Sequence, residues 1–391
     1  MKLIYYKYNA IGPYKFLLFF ILILALGCRI EPEKNETQLK NQNEQNTNIE
    51  LLIGTSTSGN SKGIYKLDFD RKTGTLSNKS LLVESQNPGY LYLSKDRHKV
   101  YSSNSTKPGS VSVYEWNDTR SHLKVIGQHS SEGDGACYIE LNPSETLLAA
   151  ANFGSGSIVV YPLDKDGNVA GFPRSVKHTG SGPHPNQKSA HAHCVKFSES
   201  GEYLYAVDLG MDEIVAYNIT ADKRLLGQSQ TVLKLDAGDG PRHLIFHQSK
   251  KMAFVINELS STVISVKINP ATGQFERIDK QSTLPVDFKG ENKCADIHLS
   301  SNGKFLYASN RGHNSIAIFS VSEQGKMELL ANEPVQGDWP RNFVLSPDNE
   351  FLLVANKKSN NISVFSVDQK TGLLEYTGNQ IVLSQPTCLK F

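Results

Sequence analysis

Four residues in this 391-residue chain could do chemistry together: His193 in HAHCVKF, Arg242 in GPRHLIF, Glu258 in VINELSSTV and Arg311 in ASNRGH. A carboxylate and an imidazole can divide base and acid duties, while guanidinium groups hold a carboxylate or phosphate and stabilise an oxyanion. Hydrolysis of an ester or a lactone needs those parts. The serine elbow GxSxG and the zinc helix HExxH are absent from the sequence, so neither a serine nucleophile nor a zinc protease has support.

These residues are spread from position 193 to position 311, so a repeating framework must bring them together. From residue 49 onward the chain repeats: an apolar run, a polar turn, then a second apolar run closed by Asn or a relative, at Thr55, Asn104, Asn152, Asp208, Asn257, Asn310 and Asn356. Short alternating runs such as SIAIFSV between turn residues predict antiparallel sheets of about four strands per repeat. The expected fold is therefore all-β, a seven-bladed β-propeller of four-stranded antiparallel blades over 49–391. PTCLKF at the C-terminus reads as a first strand, while ELLIGTSTSGNSKGIYKLDFD supplies only a second and third. One blade is then completed from both ends of the chain, which removes an open sheet edge.

Comparing repeat with repeat separates scaffold from candidates. The Asn-type residue recurs in every unit and reads as a turn residue bonding local backbone. The residue after it varies: Ser56, Ser105, Phe153, Leu209, Glu258, Arg311 and Lys357. So does a position near the start of the first strand: Thr387, Gly89, Cys137, His193, Arg242, Ala295 and Arg341. Adjacent strands run antiparallel, so both variable positions lie at one end of a blade and face one mouth of the central channel. The charges from repeats four to seven should line a pocket there.

The long motifs HAHCVKFSESGEYLYAVDLG, GPRHLIF, GENKCADIHLSSNGKFLYASNRGH and GDWPRNF resemble the propeller lactonases related to bacterial 6-phosphogluconolactonase and to fungal carboxy-muconate lactonising enzyme. The resemblance covers roughly residues 50 to 391. It implies a site of a His, an Arg, a Glu and further Arg residues, falling on His193, Arg242, Glu258 and Arg311. The expected substrate is an anionic sugar lactone, opened by activated water to the hydroxy acid. Arg341, Asp208, Asp296 and His313 are candidate substrate-binding residues, with Asp208 also readable as a substitute turn Asn and His298 as an inner-strand packing residue. A muconate-type cycloisomerase and a non-catalytic binding propeller on the envelope are the competing functions.

Three lysines precede FLLFFILILALG, an apolar run of about a dozen residues, too short to span a bilayer. Residues 1–27 read as an export signal ending in a lipobox-like Ala25-Leu26-Gly27-Cys28, with Cys28 lipidated. Residues 28–48 are polar, Asn-, Gln- and Glu-rich, and read as a tether too poor in apolar surface to fold. An exported, lipid-anchored monomer in the envelope is expected. Cys137, Cys194, Cys294 and Cys388 lack metal spacing and read as buried thiols. A formal charge of +2 and the lack of a basic stripe exclude general nucleic-acid binding. No Gly-rich phosphate loop appears, so no cofactor and no metal are assigned, although Asp208, Asp296 and Glu291 could share the mouth. In SGPHPNQKSAHAHC, His184 and His191 compete with His193 as lid residues, as ligands of an adventitious metal or as members of a solvated loop.

Overall fold

A computed structural model describes residues 47–220 and 225–391. The proposed signal, Cys28 and nearly all of the tether lie outside the described residues. The described chain forms seven four-stranded antiparallel sheets. The first strands of successive sheets touch one another in sequence, and the strand at Pro340–Leu345 touches Pro386–Lys390, which in turn touches Pro88–Leu93. The seven sheets thus close into a propeller ring, each blade's first strand innermost.

Blade 1 combines the two chain ends, Pro386–Lys390 pairing with Asn48–Thr55. The closure is also packed: Phe391 lies 5.2 Å from Phe69, whose edge meets Phe351 of blade 7 at 5.6 Å. Burial is high in the inner strands and falls at the outermost one. In blade 5 the second strand, Met252–Asn257, is buried at every residue, whereas the outermost strand, Phe275–Ser282, buries only its first. This explains why the first two apolar runs of each repeat carry the strongest sequence signal, since a strand covered on both faces has little need of alternation.

The closing Asn residues do more than turn the chain. Asn152 donates to the carbonyl of Ser131, Asn310 to that of Thr283 and Asn356 to that of Val335, at distances of 2.7, 2.9 and 3.2 Å. Each acceptor follows the outermost strand of the preceding blade, so these contacts tie neighbouring blades together. The expectation of purely local bonding is corrected by this geometry, though Asn257 does bond locally, to Thr262.

Candidate active site

Each variable position at the start of a first strand is a β-bulge. Pro241 pairs with Asn257 and His243 with Ile256, which leaves Arg242 unpaired; His193 and Arg341 are skipped in the same way in blades 4 and 7. A bulge inserts one residue against the partner strand and re-aims its side chain. It therefore places two successive residues, Arg242 and His243, on the channel side, where their side chains meet at 3.0 Å. The residue just after the closing Asn of the second strand carries the other half of the candidate site. Glu258 extends the ladder by donating its N–H to the Gly240 carbonyl at 2.7 Å, which holds its side chain at the same mouth.

The structure brings Arg242, Glu258 and Arg311 into direct contact. Glu258 Oε2 accepts Arg242 Nε at 3.1 Å and pairs with Arg311 Nη2 at 2.7 Å. Arg311 also donates to the carbonyls of Lys293 and Cys294, at 3.1 and 2.7 Å, and its guanidinium lies 5.3 Å from the Trp339 ring centre. Arg242 Nη1 donates to the Ala295 carbonyl and to His243 Nε2. Both guanidiniums are thereby fixed while Arg242 Nη2, Arg311 Nη1 and Glu258 Oε1 have no protein partner among the described residues. Arg341 is half-buried, and the charges of Arg311 and Glu258 act on it.

Burial by itself would raise the Glu258 carboxyl, but Arg311 and then Arg242 more than offset this and hold it below its ordinary value. His193 is buried, and burial followed by the charge of Arg242 keeps its imidazole neutral, well below the usual histidine range. Its ring stands 5.3 Å from His243 and edge-on to Phe153 at 5.5 Å, and its Nδ1 is buried without a partner. A buried polar atom costs about 1–3 kcal/mol unless a water or a ligand meets it. Cys137 lies beside the cluster, but burial pushes its thiol up to about 11, which disqualifies it as a nucleophile near neutrality.

Glu258 opens on a cavity of about 380 Å³. Phe153, Leu209 and Leu259 give it apolar surface, while Lys188 and Lys293 add positive charge. His191 forms part of the wall, stacked on Phe153 at 4.5 Å and bonded through Nδ1 to the Phe153 carbonyl at 2.8 Å. The loop before it is anchored: fully buried Gln187 donates to the Leu209 carbonyl and to Asp212, and accepts from the His184 N–H. The tethered Gln187 argues against a freely opening lid, and among the described residues no group of three His, Cys, Asp or Glu side chains is placed to hold a metal ion.

Three other sequence candidates are placed differently. Asp208 faces the blade interior and accepts from His178 Nδ1 at 2.7 Å and from the backbone N–H groups of His191 and Gly210. It fills the turn-Asn position, with His178 supplying the proton that an Asn side chain would carry. His313 belongs to a turn, bonded to Ser315 at 2.7 Å and packed against Phe288. Asp296 is buried in the channel, where it accepts from His243, His298 and Asn342, so its oxygens bind protein and not substrate. His298 packs edge-on against Phe343 at 4.8 Å, matching its reading as an inner-strand residue. His243 and Asn342 belong to the network, yet sequence comparison did not single them out; the bulge in the preceding residue is the signal that would have found them.

Because Asp208 touches no member of the cluster, Asp208→Asn is expected to change turnover by less than about twofold and stability by less than about 1 kcal/mol, since the new amide can donate as its counterparts do. Steady-state rates and thermal unfolding check both.

The family described as Lactonase, 7-bladed beta-propeller matches residues 50–391. The chain belongs to this lactonase family. Among its lactonase relatives, 6-phosphogluconolactonase of Bacillus subtilis is 32% identical over 341 residues, covering 87% of this chain and 97% of that protein. 6-Phosphogluconolactonase of Formosa agariphila is 34% identical over 343 residues, covering 84% and 95%. Among solved structures, the periplasmic gluconolactonase of Pseudomonas aeruginosa is 30% identical, with a TM-score of 0.84 over 88% of this chain and 98% of its own. Among the described residues Cys137, Cys194, Cys294 and Cys388 are free thiols as expected, three of them buried and Cys137 partly so.

Proposed function

We propose that this propeller hydrolyses an anionic sugar lactone, 6-phosphoglucono-1,5-lactone or a related aldonolactone, with Glu258 as the base. The observation that carries the reading is the asymmetric clamp on Glu258, a cavity-lining residue with one oxygen held by two guanidiniums and no protein partner on the other among the described residues. In the first step a water oxygen bonds to the lactone carbonyl carbon as Glu258 Oε1 takes its proton. The carbonyl π pair moves to oxygen, and the unused donors of Arg242 and Arg311 stabilise that oxyanion. On collapse the ring carbon–oxygen bond breaks and the alkoxide recovers the proton from Glu258, directly or relayed through a water oriented by His193, which restores the carboxylate. The sum is lactone plus water giving the hydroxy acid. Arg341 and half-buried Lys357, neither engaged by a protein carboxylate among the described residues, suit the anionic group of the substrate.

Export and anchoring through Cys28 are part of the same proposal, supported by the apolar leader and by the periplasmic location of the Pseudomonas relative. Among the described residues no helix is long and apolar enough to cross a membrane. The direct test is hydrolysis of 6-phosphogluconolactone, glucono-lactone and other lactones by the chain from Ile49. Turnover supports the proposal, whereas absence of turnover on all of them with retained capture of an envelope partner would favour a binding propeller.

The electrostatics give a pH dependence. A base works only when deprotonated, so a carboxyl held below 4.5 shifts the acid limb of kcat/KM below that value. His193 is already neutral and adds no limb near 6.5. The enzyme-catalysed rate, corrected for spontaneous hydrolysis, is expected to stay level between about pH 5 and 7; a limb near neutrality would assign the base elsewhere.

A further inference from the structure

The arginine that clamps Glu258 is itself held from below by a chain of hydrogen bonds that crosses the channel. We propose that His243, oriented by Asp296 and Asn342, is the positioning residue that aims Arg242 at the reacting carbonyl. The chain begins on the closing strand, where Leu389 N–H donates to Asn342 Oδ1 at 2.6 Å. The Asn342 amide donates to Asp296 Oδ2, and His243 Nδ1 bonds to Asp296 Oδ1 at 2.8 Å. His243 Nε2 then meets Arg242 Nη1 at 3.0 Å, and Arg242 Nε reaches Glu258 at 3.1 Å.

Donor chemistry fixes the direction of every link. A guanidinium can only donate, so His243 Nε2 must carry the lone pair and the ring proton sits on Nδ1, facing the carboxylate. Burial, then the Arg242 charge, pushes His243 down to about 3, so the ring stays neutral and this arrangement persists at working pH. Asp296 is filled further by His298 Nε2 at 3.0 Å and the Phe343 N–H at 3.3 Å. The chain joins blades 1, 7, 6 and 5, and the geometry of Arg242 is therefore set by ring closure as well as by its own bulge. His243 stacks edge-on against Tyr138 at 5.2 Å, which limits its rotation.

The proposal rests on the lactonase reading for its kinetic test but not for its structural one. His243→Leu removes both links, and misplacing Arg242 by about 1 Å is expected to lower kcat about 10²-fold with little change in KM, because the lost contact is made in the transition state. His243→Gln offers an acceptor to Arg242 and a donor to Asp296, and is expected to recover kcat to within about threefold. Retained kcat in the Leu variant, or equal loss in both variants at matched thermal stability, would overturn the proposal. Independently of any activity, ¹⁵N NMR of the wild-type imidazoles should find His243 neutral with the proton on Nδ1 at neutral pH. The opposite tautomer or a charged ring overturns the chain even if lactones are turned over. If no lactone is turned over, the proposed function fails and the NMR result alone decides the positioning role.

Discussion

Replacing Glu258 by Gln is expected to lower kcat by about 10³-fold, within the range that a positioned general base contributes. The substitution keeps the shape and one acceptor oxygen but removes the negative charge between Arg242 and Arg311, which Glu258 Oε2 joins at 3.1 and 2.7 Å. Two consequences separate loss of the base from loss of the fold. The two guanidiniums, freed of their anion, should hold an anionic product more tightly, so product inhibition strengthens while kcat falls. Breaking a buried ion pair from one side costs about 3–5 kcal/mol, and a lower but still cooperative thermal transition is expected. Rates, product inhibition constants and melting curves on one preparation check all three. Undiminished kcat would remove Glu258 from the chemistry.

The sequence made the ring legible because a blade is a repeated burial problem. Inner strands such as FLLVAN are apolar almost throughout, and closing residues such as Asn152, Asn310 and Asn356 meet a backbone carbonyl of the neighbouring blade, so these features recur along the chain. The same regularity exposed the site. Arg242, Glu258 and Arg311 depart from scaffold at positions where other blades carry Gly, Ser or Leu, and they meet in the structure. Two kinds of information escaped. Strict strand alternation places adjacent side chains on opposite faces, so His243 next to Arg242 reads as core; only the bulge puts both in the channel. Carboxylates, in turn, do not reveal from sequence which way they face. Asp208 and Asp296 both read as candidates for substrate, Asp208 also as a substitute turn Asn; in the structure Asp208 is turned into its blade toward His178, and Asp296 is spent on three channel side chains. The second case is informative, because a buried carboxylate beneath a cationic cluster can hold its neighbours in place without touching a ligand.

Arg311→Lys is the other substitution with a large expected effect, although it conserves charge. The fork of Arg311 makes three links at once, to the Lys293 and Cys294 carbonyls and to Glu258, and leaves Nη1 for the proposed oxyanion. A lysine ammonium cannot reproduce that planar geometry, and loses the guanidinium face turned toward Trp339. Losing one preorganised oxyanion donor costs about 10²–10³ in kcat, and that fall is expected here. The pH profile carries the finer signature. Arg311 is the strongest influence holding the Glu258 carboxyl down, ahead of Arg242. A lysine that sits farther away holds it down less, so the Glu258 carboxyl rises and the acid limb of kcat/KM moves to higher pH than in the parent. A mutation that merely loosened the fold would lower the rate at every pH and leave the limb where it was. A fall in kcat together with an upward-shifted limb would therefore place Arg311 beside both the base and the oxyanion, whereas an unshifted limb would separate Arg311 from Glu258 and break the clamp on which the proposed hydrolysis depends.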